Sequence, residues 1–107
     1  FMIGAHGSIA ANPTAAPSAC IALWNAVKVG DHEMALELHK RLLRLWNTIM
    51  GSTCPACVKY ALSLQGCPSG LPRLPMPIAT PQQRAAIEPA LKDLLDYVSA
   101  RSVKSAK

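Results

Sequence analysis

Two cysteines spaced as Cys-x-x-Cys are the residues whose pattern most directly suggests chemistry. They form the motif Cys54-Pro55-Ala56-Cys57. Such a pair either cycles between dithiol and disulfide or supplies half of a zinc site. A structural zinc needs two further ligands at suitable spacing, and Cys20 and Cys67 each stand alone in the sequence. A redox or metal module therefore stays open as one hypothesis, beside the simpler expectation of four free thiols in a reducing compartment.

A lysine followed by a tyrosine, Lys59-Tyr60, lies two residues beyond this motif. These are the residue types of a Schiff-base lysine with a tyrosine that relays protons. Adjacent residues of a helix point about 100° apart, so we do not expect the two side chains to converge on one site. We expect Lys59 to lie on a helix surface, with its aliphatic stem along apolar neighbours.

Helices must position these residues, because helix signals follow one another from Pro17 onwards. We predict helices over residues 17–29, 31–50, 55–65 and 81–100. Pro17 suits a first helical position, Gly30 suits a helix end, and Asp31 suits an N-cap. Thr80 and Gln83 match a capping box. The four prolines between Cys67 and Pro77 exclude helix and central strand, so we expect an extended segment held against a scaffold.

The inward faces of the predicted helices follow from apolar spacing. The three inward faces comprise Ile21, Trp24, Ala26 and Val27; Ala35, Leu38, Leu42, Leu45 and Ile49, widened by Leu43 and Trp46; and Ile87, Leu91, Leu94 and Val98. Glu37 and Arg41 form a favourable pair four residues apart. Pro89 should kink the last helix or split it, because its ring clashes with the carbonyl four residues earlier.

The first eleven residues differ from the rest, because Gly4 to Ala11 predict a loop that leads into one short apolar strand. A lone strand leaves backbone groups unpaired, which is costly when they are buried. We therefore expect its partner strands outside this chain, and we interpret the chain as the C-terminal piece of a larger protein.

The net charge of +5 does not indicate a nucleic-acid partner. Three of the basic groups lie in residues 101–107, and residues 1–100 carry 8 basic and 6 acidic groups. No basic run is interleaved with aromatic residues, so we expect no nucleic-acid binding. No apolar run approaches the roughly 18 residues of a membrane span. We expect a cytoplasmic protein that has no membrane partner and a frayed, disordered tail over 101–107.

The order of several short motifs resembles the C-terminal third of the dihydrodipicolinate synthase / N-acetylneuraminate lyase family, from Gly4 to about Leu95. The motifs are Gly4-Ala5-His6-Gly7-Ser8-Ile9, Gly30-Asp31, Ala35-Leu36-Glu37-Leu38-His39, Pro55-Ala56-Cys57-Val58-Lys59-Tyr60-Ala61-Leu62 and Arg73-Leu74-Pro75-Met76. The resemblance implies a mostly α chain: the last strand and helix of a (β/α)₈ TIM barrel over 1–30, then the appended C-terminal helical domain over 31–100.

The resemblance also implies a function for the parent protein, that of a class I lyase acting on pyruvate or a related 2-oxo acid. In this family a barrel lysine forms a Schiff base with the 2-oxo acid and a tyrosine relays protons, and both would lie upstream of Phe1. Lys59 matches a different family position, on a helix of the appended domain. The backbone of Ile9 matches a position that lines the pyruvate site. Because the catalytic lysine and tyrosine would lie upstream, we expect no catalytic residue in this chain, and we expect no metal ligand or cofactor site.

The implied partners are pyruvate or another 2-oxo acid, the N-terminal barrel segment that this chain lacks, and further copies in a homo-oligomer. The chain departs from the family pattern where Cys54 and Cys57 replace the asparagine and second proline of Asn-Pro-x-Pro. The alternative hypothesis is a helical scaffold or oligomerisation module that has no catalysis of its own.

Overall fold

Five helices provide the regular structure of residues 1–51 and 53–105, the part of the chain that this computed structural model describes. The helices are α1 (Asn12–Ala15), α2 (Pro17–Lys28), α3 (His32–Ile49), α4 (Cys54–Leu64) and α5 (Pro81–Ser105). No strand occurs within these described residues. The chain measures 44 × 29 × 20 Å along its principal axes.

The predicted strand near the N-terminus does not form. Residues 5–10 have no regular structure, and the chain enters α1 at Asn12 instead. A strand is stabilised by hydrogen bonds to a neighbouring strand, and the described residues offer none. Ile3 and Ile9 are consequently almost fully exposed.

The core is built around α3, which packs against α5 and α2. Five residues of its predicted inward face are confirmed as its buried residues: Ala35, Leu38, Leu42, Leu45 and Ile49. Trp46 packs against this core as predicted, but Leu43, which was predicted to widen the same face, is 48% exposed. Asp31 begins the helix as predicted, because its Oδ1 accepts a hydrogen bond of 2.9 Å from the Met34 amide. Before it, Gly30 closes the turn from α2 at a φ of +77°, a backbone conformation that glycine adopts without steric cost.

The inward face of α2 was wrongly predicted in part. Its buried residues are Ala19 and Ala26, and Leu23 between them packs against the core while Ile21 is mostly exposed. Residues 19, 23 and 26 repeat at steps of four and three and so share one face. The small alanines on this face allow α2 to approach its neighbours closely.

Helix α4 and the segment after it lie on the other side of the core. Ala56, Cys57, Val58 and Ala61 of α4 are buried. Residues 67–80 contain neither helix nor strand, as the prolines predict. The end of α4 is joined to the start of the fold by Gln65, whose Nε2 donates to the Ala15 carbonyl at 2.7 Å.

Helix α5 has the predicted capping box at its start. The Thr80 amide donates to Gln83 Oε1 at 2.8 Å, and the Gln83 amide donates to Thr80 Oγ1 at 3.2 Å. Of the two predicted effects of Pro89, a kink or a split, the split does not occur, since α5 continues through this residue. Pro89 is exposed, so the Ala85 carbonyl that loses its amide partner can bind water instead.

The helix also extends beyond its expected end. It continues to Ser105, through five residues of the segment for which the sequence predicts a disordered tail. Ala106 and Lys107, the last two residues of that predicted tail, lie outside the described residues.

Truncation of the α3 core should cost far more stability than truncation of its surface. Leu38 is 0% exposed and Leu36 is 53% exposed. We expect Leu38→Ala to lower the free energy of unfolding by about 2 to 5 kcal/mol, because lost burial and a cavity add together. Leu36→Ala should change it by less than about 1 kcal/mol. Urea unfolding followed by circular dichroism compares the two variants, and equal losses would contradict this account of the core.

Removal of the α3 cap should destabilise the fold, and another residue type that can cap the helix at the same position should restore most of the stability. We expect Asp31→Ala to cost about 1 kcal/mol, because the Met34 amide loses its acceptor. Asp31→Asn keeps a side-chain oxygen in the same place and should retain most of the stability. The thermal unfolding midpoints of both variants check this, and an asparagine variant as unstable as the alanine variant would exclude the capping explanation.

Candidate functional site

A cavity of about 360 Å³ lies between α4, residues 68–72 and the start of α5. Its polar lining includes Lys59, Tyr60 and Arg84. Lys59 and Tyr60 both border this cavity, but their polar groups bond to different partners, Ser69 and Glu88.

The Lys59 ammonium is engaged by the proline-rich segment. Its Nζ donates to the Ser69 carbonyl oxygen at 2.7 Å. The side chain thereby holds a stretch of backbone that cannot form helix or strand bonds of its own. In this position Lys59 connects a loop to a helix, which is a structural task.

Tyr60 is held on the opposite side of the cavity by α5. Its hydroxyl donates to Glu88 Oε1, and this hydrogen bond is the main reason that the pKa of Tyr60 is raised above its ordinary value. The Arg84 guanidinium lies over the Tyr60 ring at 5.1 Å from its centroid, and Arg84 Nε donates to the Ala79 carbonyl at 3.0 Å.

These contacts determine what the cavity can do chemically. A Schiff-base site needs an amine that can lose its proton and a group that exchanges protons near neutral pH. Lys59 Nζ and the Tyr60 hydroxyl bond to separate partners, and a raised tyrosine pKa opposes proton exchange at neutral pH. The arrangement joins α4, α5 and the loop between them, and it does not form an amine nucleophile.

Ile9, the residue whose backbone the resemblance assigns to the 2-oxo acid site, lies in the N-terminal segment. It is fully exposed and precedes α1 by two residues. The cavity beside Lys59 does not include it. The two places that carry candidate chemistry therefore belong to different parts of the fold.

The four cysteines are free thiols in different surroundings. Cys54 is the first residue of α4 and is half-buried, whereas Cys57, one turn later, is buried. Burial raises the pKa of the Cys54 thiol, and the charge of Cys57 adds to the rise. Within residues 1–51 and 53–105, no three His, Cys, Asp or Glu side chains are arranged to hold a metal ion.

Carboxylates on α3 and α5 are engaged in ion pairs. Arg41 Nη1 lies 2.6 Å from Glu37 Oε2, as the spacing predicts, and Arg41 Nε lies 3.3 Å from Asp93 Oδ2. Hydrogen bonds from Lys40 and then Arg41 lower the pKa of Glu37. These groups cross-link two helices through ion pairs, so they do not form a general acid and base pair.

Two partners of Tyr60 were not predicted from the sequence, namely Glu88 and Arg84. Glu88 lies 28 residues from Tyr60, and nothing in local spacing connects residues so far apart. An acidic and a basic residue on an exposed helix face are the ordinary composition of a surface helix. Only the packing of α5 against α4 brings them to Tyr60.

No helix in the described part of the chain has both the length and the apolar character needed to cross a membrane.

Comparison with known proteins identifies relatives of this chain. The 4-hydroxy-tetrahydrodipicolinate synthase of Bradyrhizobium diazoefficiens is 39% identical over 88 residues, which are 82% of this chain and 30% of that protein. The protein of the same name from Phenylobacterium zucineum is 37% identical over 90 residues, covering 84% and 31%. That of Archaeoglobus fulgidus is 33% identical over 92 residues, covering 86% and 32%.

The chain thus spans about a third of the length of the curated relatives that it matches. No solved structure matches it. A family model described as the Dihydrodipicolinate synthetase family matches residues 1–94. This match includes the N-terminal segment, α1 to α4 and more than half of α5. The chain therefore belongs to the dihydrodipicolinate synthetase family.

Proposed function

We propose that this chain is the C-terminal part of a Schiff-base-forming lyase that acts on pyruvate or a related 2-oxo acid. The observation that carries the proposal is the family match over residues 1–94, together with relatives that are named 4-hydroxy-tetrahydrodipicolinate synthases. The reaction would be an aldol condensation or cleavage. An enzyme amine would condense with the ketone of the 2-oxo acid and stabilise the carbanion formed beside it.

The amine nucleophile of this proposal lies outside the present chain. Lys59 is the lysine whose neighbour is a tyrosine, and its Nζ is bonded to the Ser69 carbonyl at 2.7 Å. Its cavity is also separate from Ile9. The family resemblance supports the same assignment, because it matches Lys59 to a helix of the appended domain and not to a barrel strand.

The proposed contribution of this chain to the substrate site is the backbone of Ile9. Residues 1–30 would supply the last strand and helix of a TIM barrel, and residues 31–100 the appended helical domain. The exposure of Ile3 and Ile9 supports this division, because an apolar segment without a partner is suited to pairing with other strands. At the C-terminal end of a barrel strand, backbone groups face the substrate.

We also propose that the parent protein is cytoplasmic and forms a homo-oligomer. Support for the second point comes from α3, on which Leu36 and Leu43 are about half exposed although the opposite face is buried. Clustered apolar side chains on a surface are typical of contacts with another protein. A helical scaffold without catalysis, which is our alternative hypothesis, would use the same surface.

The proposed activity predicts a covalent adduct with pyruvate. When the purified parent protein is treated with pyruvate and borohydride, we expect one reduced pyruvate adduct per polypeptide, because borohydride reduces the imine to a stable amine. The intact mass should be far above the 11.4 kDa of this chain, and peptide mapping should place the adduct outside residues 1–107.

Lys59→Arg is the matched control for this experiment. It keeps a cation that can donate to the Ser69 carbonyl but removes the primary amine, so the adduct should form at an unchanged yield. Loss of the adduct in this variant, at unchanged thermal stability, would make Lys59 the nucleophile. Absence of any adduct in the unmodified protein would favour the scaffold hypothesis.

A further inference from the structure

The positions of Cys54 and Cys57 at the start of α4 are compatible with a disulfide. Helical residues three apart have their Cβ atoms about 5 to 6 Å apart, and a disulfide needs about 3.5 to 4.5 Å. The first turn must therefore tighten by roughly 1 to 2 Å. This is the part of a helix in which few amides have intrahelical partners. Pro55 has no amide hydrogen, and no side chain caps α4.

The sulfur of Cys57 is oriented towards that first turn. Its Sγ lies 3.8 Å from Oγ1 of Thr53, the residue that immediately precedes Cys54. Thr53 is fixed in turn, because Gln83 Nε2 donates to its Oγ1 at 2.6 Å. Burial and the charge of Cys57 raise the pKa of Cys54, which lowers its thiolate fraction and slows its attack on a disulfide.

Cys54 is more exposed than Cys57, so the two thiols should react with different partners. Cys54 is half-buried and can be reached from solvent, whereas Cys57 is 0% exposed. A dissolved oxidant can therefore meet Cys54 first. Cys57 can react only with a sulfur that is already bound to its neighbour on the same helix turn.

We propose that Cys54 and Cys57 form a thiol–disulfide modification site that an organic disulfide oxidises to an intramolecular disulfide. This inference is independent of the proposed lyase activity, because it concerns residues far in sequence from Ile9. The two other cysteines have no neighbouring cysteine in the sequence, and Cys67, the exposed one, should accept only a mixed disulfide.

The reaction balances as two thiol–disulfide exchanges. The Cys54 thiolate attacks one sulfur of the organic disulfide, whose S–S bond breaks, and one thiolate leaves and takes up the proton that Cys54 lost. The Cys57 thiolate then attacks the Cys54 sulfur of the mixed disulfide and expels the second thiolate, which is protonated in the same way. Two protein thiols are oxidised, and one organic disulfide is reduced to two thiols.

Trypsin separates the cysteines well enough to test this. Cleavage after Arg44 and Lys59 gives the peptide 45–59, which contains Cys54 and Cys57, and cleavage after Lys59 and Arg73 gives the peptide 60–73, which contains Cys67. The folded parent protein is incubated with glutathione disulfide until peptide 60–73 carries glutathione throughout. Free thiols are then alkylated, and the protein is digested without reduction for mass spectrometry.

We expect peptide 45–59 to lose two hydrogens, to carry no glutathione and to resist alkylation. In the Cys57→Ser variant the same peptide should retain one glutathione, because no second thiol resolves the mixed disulfide. In the Cys54→Ser variant it should stay unmodified in the folded protein. After unfolding in urea, Cys57 of that variant should accept glutathione, which shows that burial protects it.

Three results would overturn the proposal. Peptide 45–59 of the unmodified protein could remain fully reduced while peptide 60–73 is modified, or it could retain glutathione on either cysteine. Alternatively, glutathione could attach to Cys57 in folded Cys54→Ser. The first two results concern the unmodified protein, so they decide the question even if a serine variant fails to fold.

Discussion

The burial of one apolar face of α3 is the constraint on which the rest of this structure depends. Leu38, Leu42 and Leu45 lie between α2 and α5, and a buried leucine contributes roughly 1.5 to 3 kcal/mol relative to an exposed one. Because α5 is fixed by this contact, its start is also fixed, and with it the position of Gln83 above the first turn of α4. The Arg41 ion pair with Asp93 follows the same two helices along their polar edge.

A second layer of interactions compensates for prolines. Residues 67–77 contain four prolines, which donate no backbone hydrogen bonds, and the segment is neither helix nor strand. Side chains therefore supply the contacts: Lys59 donates to Ser69, and Arg84 donates to Ala79 just beyond. For this reason the lysine and the tyrosine at this cavity connect α4 to the loop and to α5. The same hydrogen bonds that hold the loop leave Lys59 Nζ without the freedom of a nucleophile.

The features that could be predicted from the sequence are those fixed by neighbouring residues. The inward face of α3 and the Asp31 and Thr80 caps depend on spacings of three and four residues. The strand, the orientation of Ile21 and the meeting of Tyr60 with Glu88 depend instead on partners far away in the chain or outside it. Of the candidate site, the motifs could be identified from the sequence. The partner of Lys59 depends on how the loop that contains Ser69 lies against α4, and the partners of Tyr60 depend on the packing of α5.

The start of α4 shows how a local departure from the family pattern changes the chemistry that a fold can carry. The N-cap of α4 is Thr53, Cys54 is its first helical residue, and no side chain caps the helix. Pro55 at its second residue and the burial of Cys57 and Ala61 hold the helix in that position instead. Since the Cys54 thiol has no capping role in α4, its engagement in a disulfide removes no cap from the helix. A pair of cysteines can therefore occupy this turn as a redox site, because disulfide formation requires the turn to tighten but does not cost the helix a side-chain cap.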